Sequence, residues 1–368
     1  MSLQNTVPCR EEQLAAQLRE LYQSYGYLQY KMSKFESYEL YSRNRDFLVS
    51  DHIVTFQDRS GKLMALKPDV TLSIVKNAVE GQSTGEKVYY NENVYRTAKG
   101  TGKIREIMQM GLECIGELDS FCMCEVMTLA ARSLALISED HLLAVSHMGF
   151  LKGLLEYVAE DPADRKFLLE CIAGKNAHSL QARLADMGVS AEMQDRMTAL
   201  LSLYGPMAET LPQLKQLSVN EETASACRQL EEILLLLAET GVTQKLVLDF
   251  SIVNDMSYYN GVTFQGFVAG IPTGVLSGGR YDNLLKKFGS SMSAVGFAVY
   301  LDLLEQFEAS PDYDVDVLFL YDDGTDKRAL LQEVSRRIKA GERVRTARET
   351  DKRLKYRELK DLRERRAK

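Results

Sequence analysis

The chain has 368 residues, of which 45% are hydrophobic and 26% are charged, a balance typical of a globular protein with room for two or three domains. Its net charge of −7 argues against a protein whose main role is to bind nucleic acid. The six scattered cysteines exclude a disulfide framework, and the lack of a secretory leader or a membrane-spanning apolar run predicts a cytoplasmic location and no membrane association.

The N-terminal region predicts a helix followed by strands. Leu14, Leu18 and Leu21 recur at helical spacing before Gly26, and the alternating segment 27–35 is predicted to be a strand. The further elements predicted in this region are a hairpin over 53–57 and 63–66, a helix over 71–78, strands over 88–96 and 104–115, a helix over 124–137 and a strand over 142–146.

Residues 150–240 differ in character, because helical periodicity dominates there and strand signals vanish. We interpret them as a helical insertion into one discontinuous domain formed by residues 1–149 and 241–310. Strands are predicted again over 245–253, 262–269 and 294–300. Strands with helices around them indicate an α+β fold on an antiparallel sheet.

Residues 311–368 predict a short αβ extension. Residues 315–321 read as a strand, residues 327–340 as a helix, and a short strand is expected near Val344. The tail 351–368 mixes acidic and basic residues densely, and opposite charges at helical spacing favour a solvated helix there over a nucleic-acid-binding tail.

The most informative local pattern lies in the predicted strand 107–115. Side chains alternate across a strand. One face is therefore apolar and carries Met108, Met110, Leu112 and Cys114. The other face carries Gln109, Gly111 and Glu113, so that an amide and a carboxylate flank a position without a side chain. This face is either the floor of a polar pocket or an ordinary solvent-exposed strand face.

Five further residues are candidates for a ligand site. Asp69 and Thr71 could bind an ammonium group, although Asp69 after a proline is more typical of a helix cap. Arg96 could bind a carboxylate or a phosphate with two parallel hydrogen bonds. The pair Tyr258 and Tyr259 fits either core packing, which we favour for at least one of them, or a lid over a ring-bearing ligand.

The remaining motifs do not indicate a phosphate-binding, metal-binding or catalytic site. The segment 277–282 reads as a tight glycine turn that allows close backbone approach, with Arg280 reaching a nearby acceptor, and it lacks the spacing of a phosphate loop. The four histidines lack the spacing of zinc ligands, and no serine or cysteine lies in a nucleophile motif. The sequence therefore predicts no catalytic residue, no metal and no cofactor.

Taken together and in chain order, several segments resemble the catalytic domain of histidyl-tRNA synthetase, a class II aminoacyl-tRNA synthetase. Residues 66–71 are similar to its Leu-Arg-Pro-Glu-x-Thr element, and residues 94–116 to its second motif of strand, loop and strand. Residues 251–260 resemble its histidine-recognition motif, residues 278–284 its Gly-Gly-Arg-Tyr-Asp segment, and residues 294–303 its last motif. The resemblance covers residues 10–310 and implies a class II synthetase-like antiparallel sheet flanked by helices.

The resemblance implies a binding site for histidine. In it, Glu113 and Tyr259 contact the imidazole ring, Arg96 faces the carboxylate, and the amino group is bound by Asp69, Thr71 and Gln109. The histidine-binding residues implied are Asp69, Thr71, Arg96, Gln109, Glu113, Tyr258 and Tyr259.

The departures from the family's pattern bear on activity. Asn254 and Leu303 stand where the family has arginines. Amino-acid activation needs fixed cations at the ATP phosphates, and losing one such donor costs roughly a hundredfold or more in rate. Ser33 replaces a proline of the dimer-forming first motif. The region after Pro311 is only a part of the family's anticodon-binding domain.

A chain altered in this way resembles the regulatory subunits of ATP phosphoribosyltransferase. That resemblance implies a protein that is not itself an enzyme and that binds L-histidine. It also implies self-association as a dimer and assembly with a short-form catalytic subunit into a hetero-octamer for the first step of histidine biosynthesis, with no nucleic-acid partner. The alternatives are a catalytic fragment of histidyl-tRNA synthetase and a paralogue that binds another amino acid.

Overall fold

The computed structural model describes residues 10–48, 53–81, 85–97, 102–253, 258–305 and 313–363. The chain divides into two compact units, one formed by Arg10–Gln306 and the other by Met1–Cys9 with Phe307–Lys368. The helical segment predicted as an insertion belongs to the larger unit. The limits of the proposed domains stay a prediction.

The larger unit is built on a nine-stranded sheet. The described strands of the larger unit, nine in this sheet and three in a small separate sheet, are β1 (Leu28–Gln29), β2 (Phe35–Ser37), β3 (Thr55–Gln57), β4 (Leu63–Leu66), β5 (Gly85–Thr97), β6 (Ile104–Gly116), β7 (His141–His147), β8 (Tyr204–Pro206), β9 (Leu246–Asp249), β10 (Val262–Val268), β11 (Leu276–Arg280) and β12 (Ser293–Tyr300). The large sheet has the order β1-β5-β6-β12-β11-β10-β7-β9-β8, and β2, β4 and β3 form a small separate sheet. In the large sheet, all strand pairs are antiparallel except β1 with β5 and β7 with β9. The predicted antiparallel sheet is therefore confirmed.

Helices cover the sheet. Those described in the larger unit are α1 (Arg10–Ser24), α2 (Tyr38–Ser42), α3 (Thr71–Glu80), α4 (Ser120–Ile137), α5 (Met148–Val158), α6 (Pro162–Ala173), α7 (Ala177–Asp186), α8 (Ala191–Ser202), α9 (Met207–Gln216), α10 (Glu221–Leu237), α11 (Asp282–Lys287) and α12 (Asp302–Glu305). Short 3-10 turns lie at Arg45–Phe47, Ala238–Thr240 and Thr243–Lys245. Helices α5 to α10 follow one another as predicted, although β8, which the sequence did not indicate, interrupts them.

Local sequence explains where the longer helices begin. Asp119 caps α4 by accepting a hydrogen bond from the Cys122 N–H at 2.9 Å. Asn220 and Thr223 form a reciprocal capping box at the start of α10. Helix α4 is long and apolar enough to cross a membrane by length and composition, but 61% of it is buried within the unit, which is typical of a core helix.

The two faces of β6 belong to two different hydrophobic cores. Met110, Leu112 and Cys114 pack on one face, in the core that contains α1 and α4. Ile115 and the partly buried Ile107 lie on the other face, in the core that contains α3 and α11. Because both faces are covered in the second part of the strand, Gln109 and Glu113 are enclosed, whereas Arg105 and Glu106 near its start are exposed.

The prediction of a glycine turn over 277–282 is wrong. Residues Leu276–Arg280 form β11, a central strand between β10 and β12. A Cβ atom on Gly278 would lie 2.8 Å from Cε2 of Phe264, so this strand needs glycine to pass the neighbouring side chains. The two adjacent glycines therefore mark a close approach of strands and not a reversal of the chain.

The predicted strand over 27–35 is also largely wrong. Only β1 pairs with β5, in parallel, and the chain reaches β2 after five residues without regular structure. Leu28 is 71% exposed and Phe35 is 47% exposed. The alternating apolar pattern therefore lacks, within the described residues, the neighbouring strand that a half-buried strand requires.

The smaller unit is a parallel αβ unit. Its described elements are β13 (Val315–Leu320), α13 (Lys327–Lys339), β14 (Val344–Ala347) and β15 (Tyr356–Asp361). Strand β13 lies between the other two, parallel to both.

The charged tail was predicted to be a helix, and this is wrong for its described part, which contains β15. Alternate side chains of β15 are half-buried, namely those of Tyr356, Glu358 and Lys360. Two of them reach α13, since Glu358 lies 3.3 Å from Arg337 and Lys360 lies 3.9 Å from Glu333. The opposite charges thus pair partly with α13 and partly between residues two apart within the tail, and not at helical spacing. Residues 364–368 of the predicted helix lie outside the described residues.

Candidate functional site

A buried carboxyl group lies at the centre of the candidate site. Glu113 on β6 is 2% exposed, and its two oxygens accept hydrogen bonds from Thr71 Oγ1 at 2.7 Å and from Tyr281 Oη at 2.5 Å. Gly296 on β12 leaves the space for this carboxyl group, since a Cβ atom there would overlap Glu113 Oε2. Burial raises the pKa of Glu113 to about 8, and among the described residues no lysine or arginine lowers it.

The pocket interpretation of this strand face, as opposed to a solvent-exposed one, is supported for Gln109 and Glu113. Gln109 is 3% exposed, so the amide and the carboxyl group are both enclosed. The expected open space above Gly111 is, however, filled from the neighbouring strand. A Cβ atom on Gly111 would lie 2.6 Å from Tyr90 Oη. The missing side chain therefore makes room for a tyrosine and not directly for a ligand.

The residues before α3 contribute a second acidic group. Asp69 accepts a hydrogen bond from the Leu72 N–H at 2.8 Å, so its side chain binds the first turn of α3 as predicted, although the N-cap position itself is Val70. Arg96 Nε donates to the Pro68 carbonyl oxygen at 3.0 Å, which brings the guanidinium close to Asp69. Burial raises the pKa of Asp69, although the charge of Arg96 acts against this rise. A role of Asp69 and Arg96 in ligand binding stays a prediction.

Tyrosine rings surround the carboxyl group. The ring centroids of Tyr258 and Tyr259 are 4.6 Å apart, and those of Tyr258 and Tyr281 are 5.5 Å apart. Tyr258 and Tyr259 are half-buried and pack against the core below α3, so the packing predicted for at least one of them is confirmed for both. Burial, with the nearby charges of Glu113 and Asp69, raises the pKa of Tyr259, which keeps its hydroxyl protonated.

Three tyrosines of the site, Tyr90, Tyr281 and Tyr300, are not among the residues predicted from the sequence. Tyr281 follows β11 and lies in the segment predicted to be a glycine turn with Arg280 reaching a nearby acceptor. Arg280 does reach an acceptor, because its Nε lies 2.8 Å from Asp282 Oδ2. Tyr300 ends β12 opposite Gln109. The alternation from Gly296 through Ala298 to Tyr300 is the signal that would have placed Tyr300 on this face.

Of the two positions at which the synthetase family has an arginine, only Leu303 lies within the described residues. Leu303 lies half-buried in the short helix α12. Asn254 belongs to residues 254–257, which lie outside the described residues. Within the described ranges, no group of three or more His, Cys, Asp or Glu side chains is arranged to hold a metal ion.

The raised pKa of Glu113 predicts a specific pH dependence of stability. A carboxyl group whose pKa rises from 4.5 to about 8 on folding destabilises the native state progressively as pH increases between these values. We expect Glu113→Gln to remove this loss, so that the variant exceeds the wild type by roughly 1–4 kcal/mol in free energy of unfolding at pH 8. At pH 4 this advantage should disappear.

Urea unfolding across this pH range measures the effect. The exposed Glu117 provides a matched control, because Glu117→Gln should keep the wild-type pH dependence. A wild type and a Glu113→Gln variant with parallel pH profiles would contradict the buried, protonated state of Glu113.

Comparisons with known proteins show what the whole chain is similar to. The family model described as Histidyl-tRNA synthetase matches residues 7–304. The ATP phosphoribosyltransferase regulatory subunit of Syntrophotalea carbinolica is 30% identical over 329 residues, which are 86% of this chain and 76% of that protein.

Two solved structures have the same fold. An ATP phosphoribosyltransferase regulatory subunit/histidyl-tRNA synthetase from Bacillus halodurans is similar with a TM-score of 0.77 and 25% identity, covering 96% of this chain and 94% of that one. A chain of the ATP phosphoribosyl transferase (HisG:HisZ) complex from Thermotoga maritima is similar in fold, with a TM-score of 0.64, 17% identity and coverage of 79% and 97%. The predicted class II synthetase-like fold is thereby confirmed.

Proposed function

We propose that this chain, which belongs to the histidyl-tRNA synthetase family and within it to the ATP phosphoribosyltransferase regulatory subunits, binds free histidine and thereby controls a separate catalytic subunit. Regulatory subunits of this family are not themselves catalysts. The chemistry then resides in a short-form phosphoribosyltransferase, and this chain provides the site that senses the pathway's end product.

One observation carries the proposal of histidine as the ligand. Glu113 is a buried carboxyl group among tyrosine rings, and the described residues place no cation beside it. Thr71 and Tyr281 already donate hydrogen bonds to its two oxygens, but a positive charge that would balance the ionised carboxylate is left for a ligand to supply. An imidazole ring is flat enough to pack between aromatic side chains, and it provides both an N–H donor and a proton-accepting nitrogen.

The two ends of the site suit the backbone groups of an amino acid. Thr71 donates to Glu113, which shares a face of β6 with Gln109, and Asp69 lies two residues before Thr71, so an amide oxygen and a second carboxyl group are available as acceptors for an ammonium group. The half-buried guanidinium of Arg96 is suited to a carboxylate. The seven residues Asp69, Thr71, Arg96, Gln109, Glu113, Tyr258 and Tyr259 form the proposed histidine site.

The substitutions at Asn254 and Leu303 support a binding role in place of amino-acid activation. Activation brings the α-phosphate of ATP to the carboxylate of the amino acid, and fixed cations must neutralise the charge that develops. Neither an asparagine nor a leucine supplies a cation. We therefore propose that histidine bound here is not converted to an adenylate.

Control of a partner requires coupling between two sites. If histidine binds one conformation of the assembly better than another, it shifts the assembly towards that conformation, and the partner's activity follows. The Thermotoga maritima complex, in which a chain of this fold accompanies the transferase, supports such an assembly. We propose a dimer of this chain within a hetero-octamer in the cytoplasm.

The test combines binding and activity measurements on the full chain. We expect calorimetry to show that histidine binds more tightly than any other standard amino acid. We further expect the chain to co-purify with the short-form catalytic subunit from its own genome, to increase its activity, and to make that activity sensitive to histidine.

Two outcomes would replace the proposal. Robust histidine-dependent exchange of pyrophosphate into ATP would identify a catalytic fragment of histidyl-tRNA synthetase. Tighter binding of a different amino acid, without an effect on the transferase, would identify a paralogue with another ligand.

A further inference from the structure

Strand β12 lines one side of the candidate site with side chains of increasing size. In the antiparallel pairing of β12 with β6, Gly296 lies opposite Glu113, Ala298 opposite Gly111 and Tyr300 opposite Gln109. Directly opposed residues of antiparallel strands place their side chains on the same face. The glycine therefore leaves room at the carboxyl group of Glu113, whereas the tyrosine fills the space at the other end.

The burial pattern of β12 differs between its two faces. Phe297 and Val299 are buried and belong to the core on one face. Ala298 and Tyr300 are half-buried, as are Arg96 and Tyr259. The half-exposed residues of β12 therefore lie on the face that is opposite Gly111 and Gln109 of β6, which is the face of the candidate site.

Tyr300 lies close to the residue suited to a ligand carboxylate. The guanidinium of Arg96 is near enough for its charge to act against the rise that burial causes in the pKa of Tyr300. Arg96 also donates through Nε to the Pro68 carbonyl oxygen at 3.0 Å. The guanidinium is thus held at Pro68 with Tyr300 nearby, which leaves only part of its hydrogen-bonding edge for a ligand.

An acidic residue lies next to this end of the site. Asp302 is separated from β12 by one residue and lies near enough to Arg96 to interact with its charge. Its Oδ1 atom is buried and has no hydrogen-bond partner in the described structure, and its Oδ2 atom lies 3.6 Å from Arg105. One carboxyl group is thus accompanied by two arginines at this end of the site.

We propose that Tyr300 is the specificity-determining residue at the carboxylate end of the site. It positions Arg96 for a free carboxylate and occupies the space that a substituent on that carboxylate would require. The ligand class is accordingly an amino acid with an unmodified carboxylate, and aminoacyl adenylates are excluded by size. This inference rests on the proposed histidine-binding function.

The experiment compares two ligands by calorimetry. One is histidine, and the other is a non-hydrolysable histidyl-adenylate analogue with a sulfamoyl linkage. The wild type should bind histidine at least about tenfold more tightly than the analogue, within the range of steric discrimination in binding sites. Tyr300→Ala, which opens the space, should improve binding of the analogue by about tenfold.

Tyr300→Phe separates the two roles of the residue. It keeps the ring but removes the hydroxyl, so histidine should bind about five- to tenfold more weakly through loss of the hydroxyl group near Arg96, with no gain for the analogue. Tyr157→Ala, at a tyrosine that is 59% exposed on α5, is the matched control and should leave both affinities unchanged. Thermal unfolding confirms that each variant is folded.

The outcomes separate this inference from the function on which it rests. If the wild type does not bind histidine, the proposed function fails. If the wild type binds histidine but Tyr300→Ala gains no affinity for the analogue, or Tyr300→Phe gains as much as Tyr300→Ala, the role assigned to Tyr300 is wrong. An analogue that binds the wild type as tightly as histidine does would also overturn it.

Discussion

Replacing Glu113 by alanine is expected to weaken histidine binding by about a hundredfold or more, because a buried hydrogen-bonded partner of a charged or polar ligand group is lost. Thr71 and Tyr281 both donate to Glu113, and neither offers a second carboxylate to the imidazole. Calorimetry at neutral pH, with histidine titrated into the full chain, measures the change directly.

The alanine variant needs a control for folding, because it leaves two hydroxyl groups without their acceptor. Glu113→Gln keeps an acceptor oxygen and the side-chain volume, so it should fold normally and still bind histidine substantially more weakly than the wild type. Glu117→Ala, at an exposed carboxylate just beyond the same strand, should bind histidine as the wild type does. Wild-type affinity in a folded Glu113→Ala variant would remove Glu113 from the site.

The second large effect is expected at Gly296. A Cβ atom at this position would overlap Glu113 Oε2 and the Leu112 carbonyl oxygen, so Gly296→Ala must displace either the carboxyl group or the backbone of β6. Overpacking of this kind costs about 3 kcal/mol, and more where backbone has to move. We therefore expect the free energy of unfolding in urea to fall by about that amount, and histidine binding to be lost with it.

The matched control is a glycine with room for a methyl group. Gly174, at the end of α6, is exposed, and its nearest neighbour to a new Cβ atom is the Glu170 carbonyl oxygen at 3.4 Å. Gly174→Ala should change the stability by less than about 0.5 kcal/mol, as is usual for surface sites. A Gly296→Ala variant as stable as this control would show that β12 and β6 are less closely packed than the structure indicates.

The two predictions concern one physical arrangement. The fold accommodates a carboxyl group in a space created by a missing side chain, and burial makes its charged form unfavourable in the free protein. A ligand that stabilises the charged form should therefore also stabilise the fold, by an amount that increases with its concentration. Histidine should consequently raise the midpoint of thermal unfolding in the wild type more than in Glu113→Gln.

The amino-acid sequence alone determined most element types and the central residues of the site. Local periodicity identified the long strands β5 and β6, helix α4 and the run of helices from α5 to α10, because each has a repeat that is visible within its own residues. Alternation along β6 placed Gln109 and Glu113 on one face, and the absence of arginine at positions 254 and 303 is a property of the sequence itself.

The tertiary structure decided what depends on contacts between distant segments. Glu113 and Tyr281 are 168 residues apart, and the register that brings Tyr300 beside Gln109 joins strands on either side of the helical segment. The sequence predicted a turn in place of β11 and a helix in place of β15. A pair of glycines occurs in turns and in closely packed strands, and mixed charges occur in exposed helices and in exposed strands, so the local sequence does not distinguish them. Which of these forms is adopted depends on the neighbouring strands, and local sequence does not encode those neighbours.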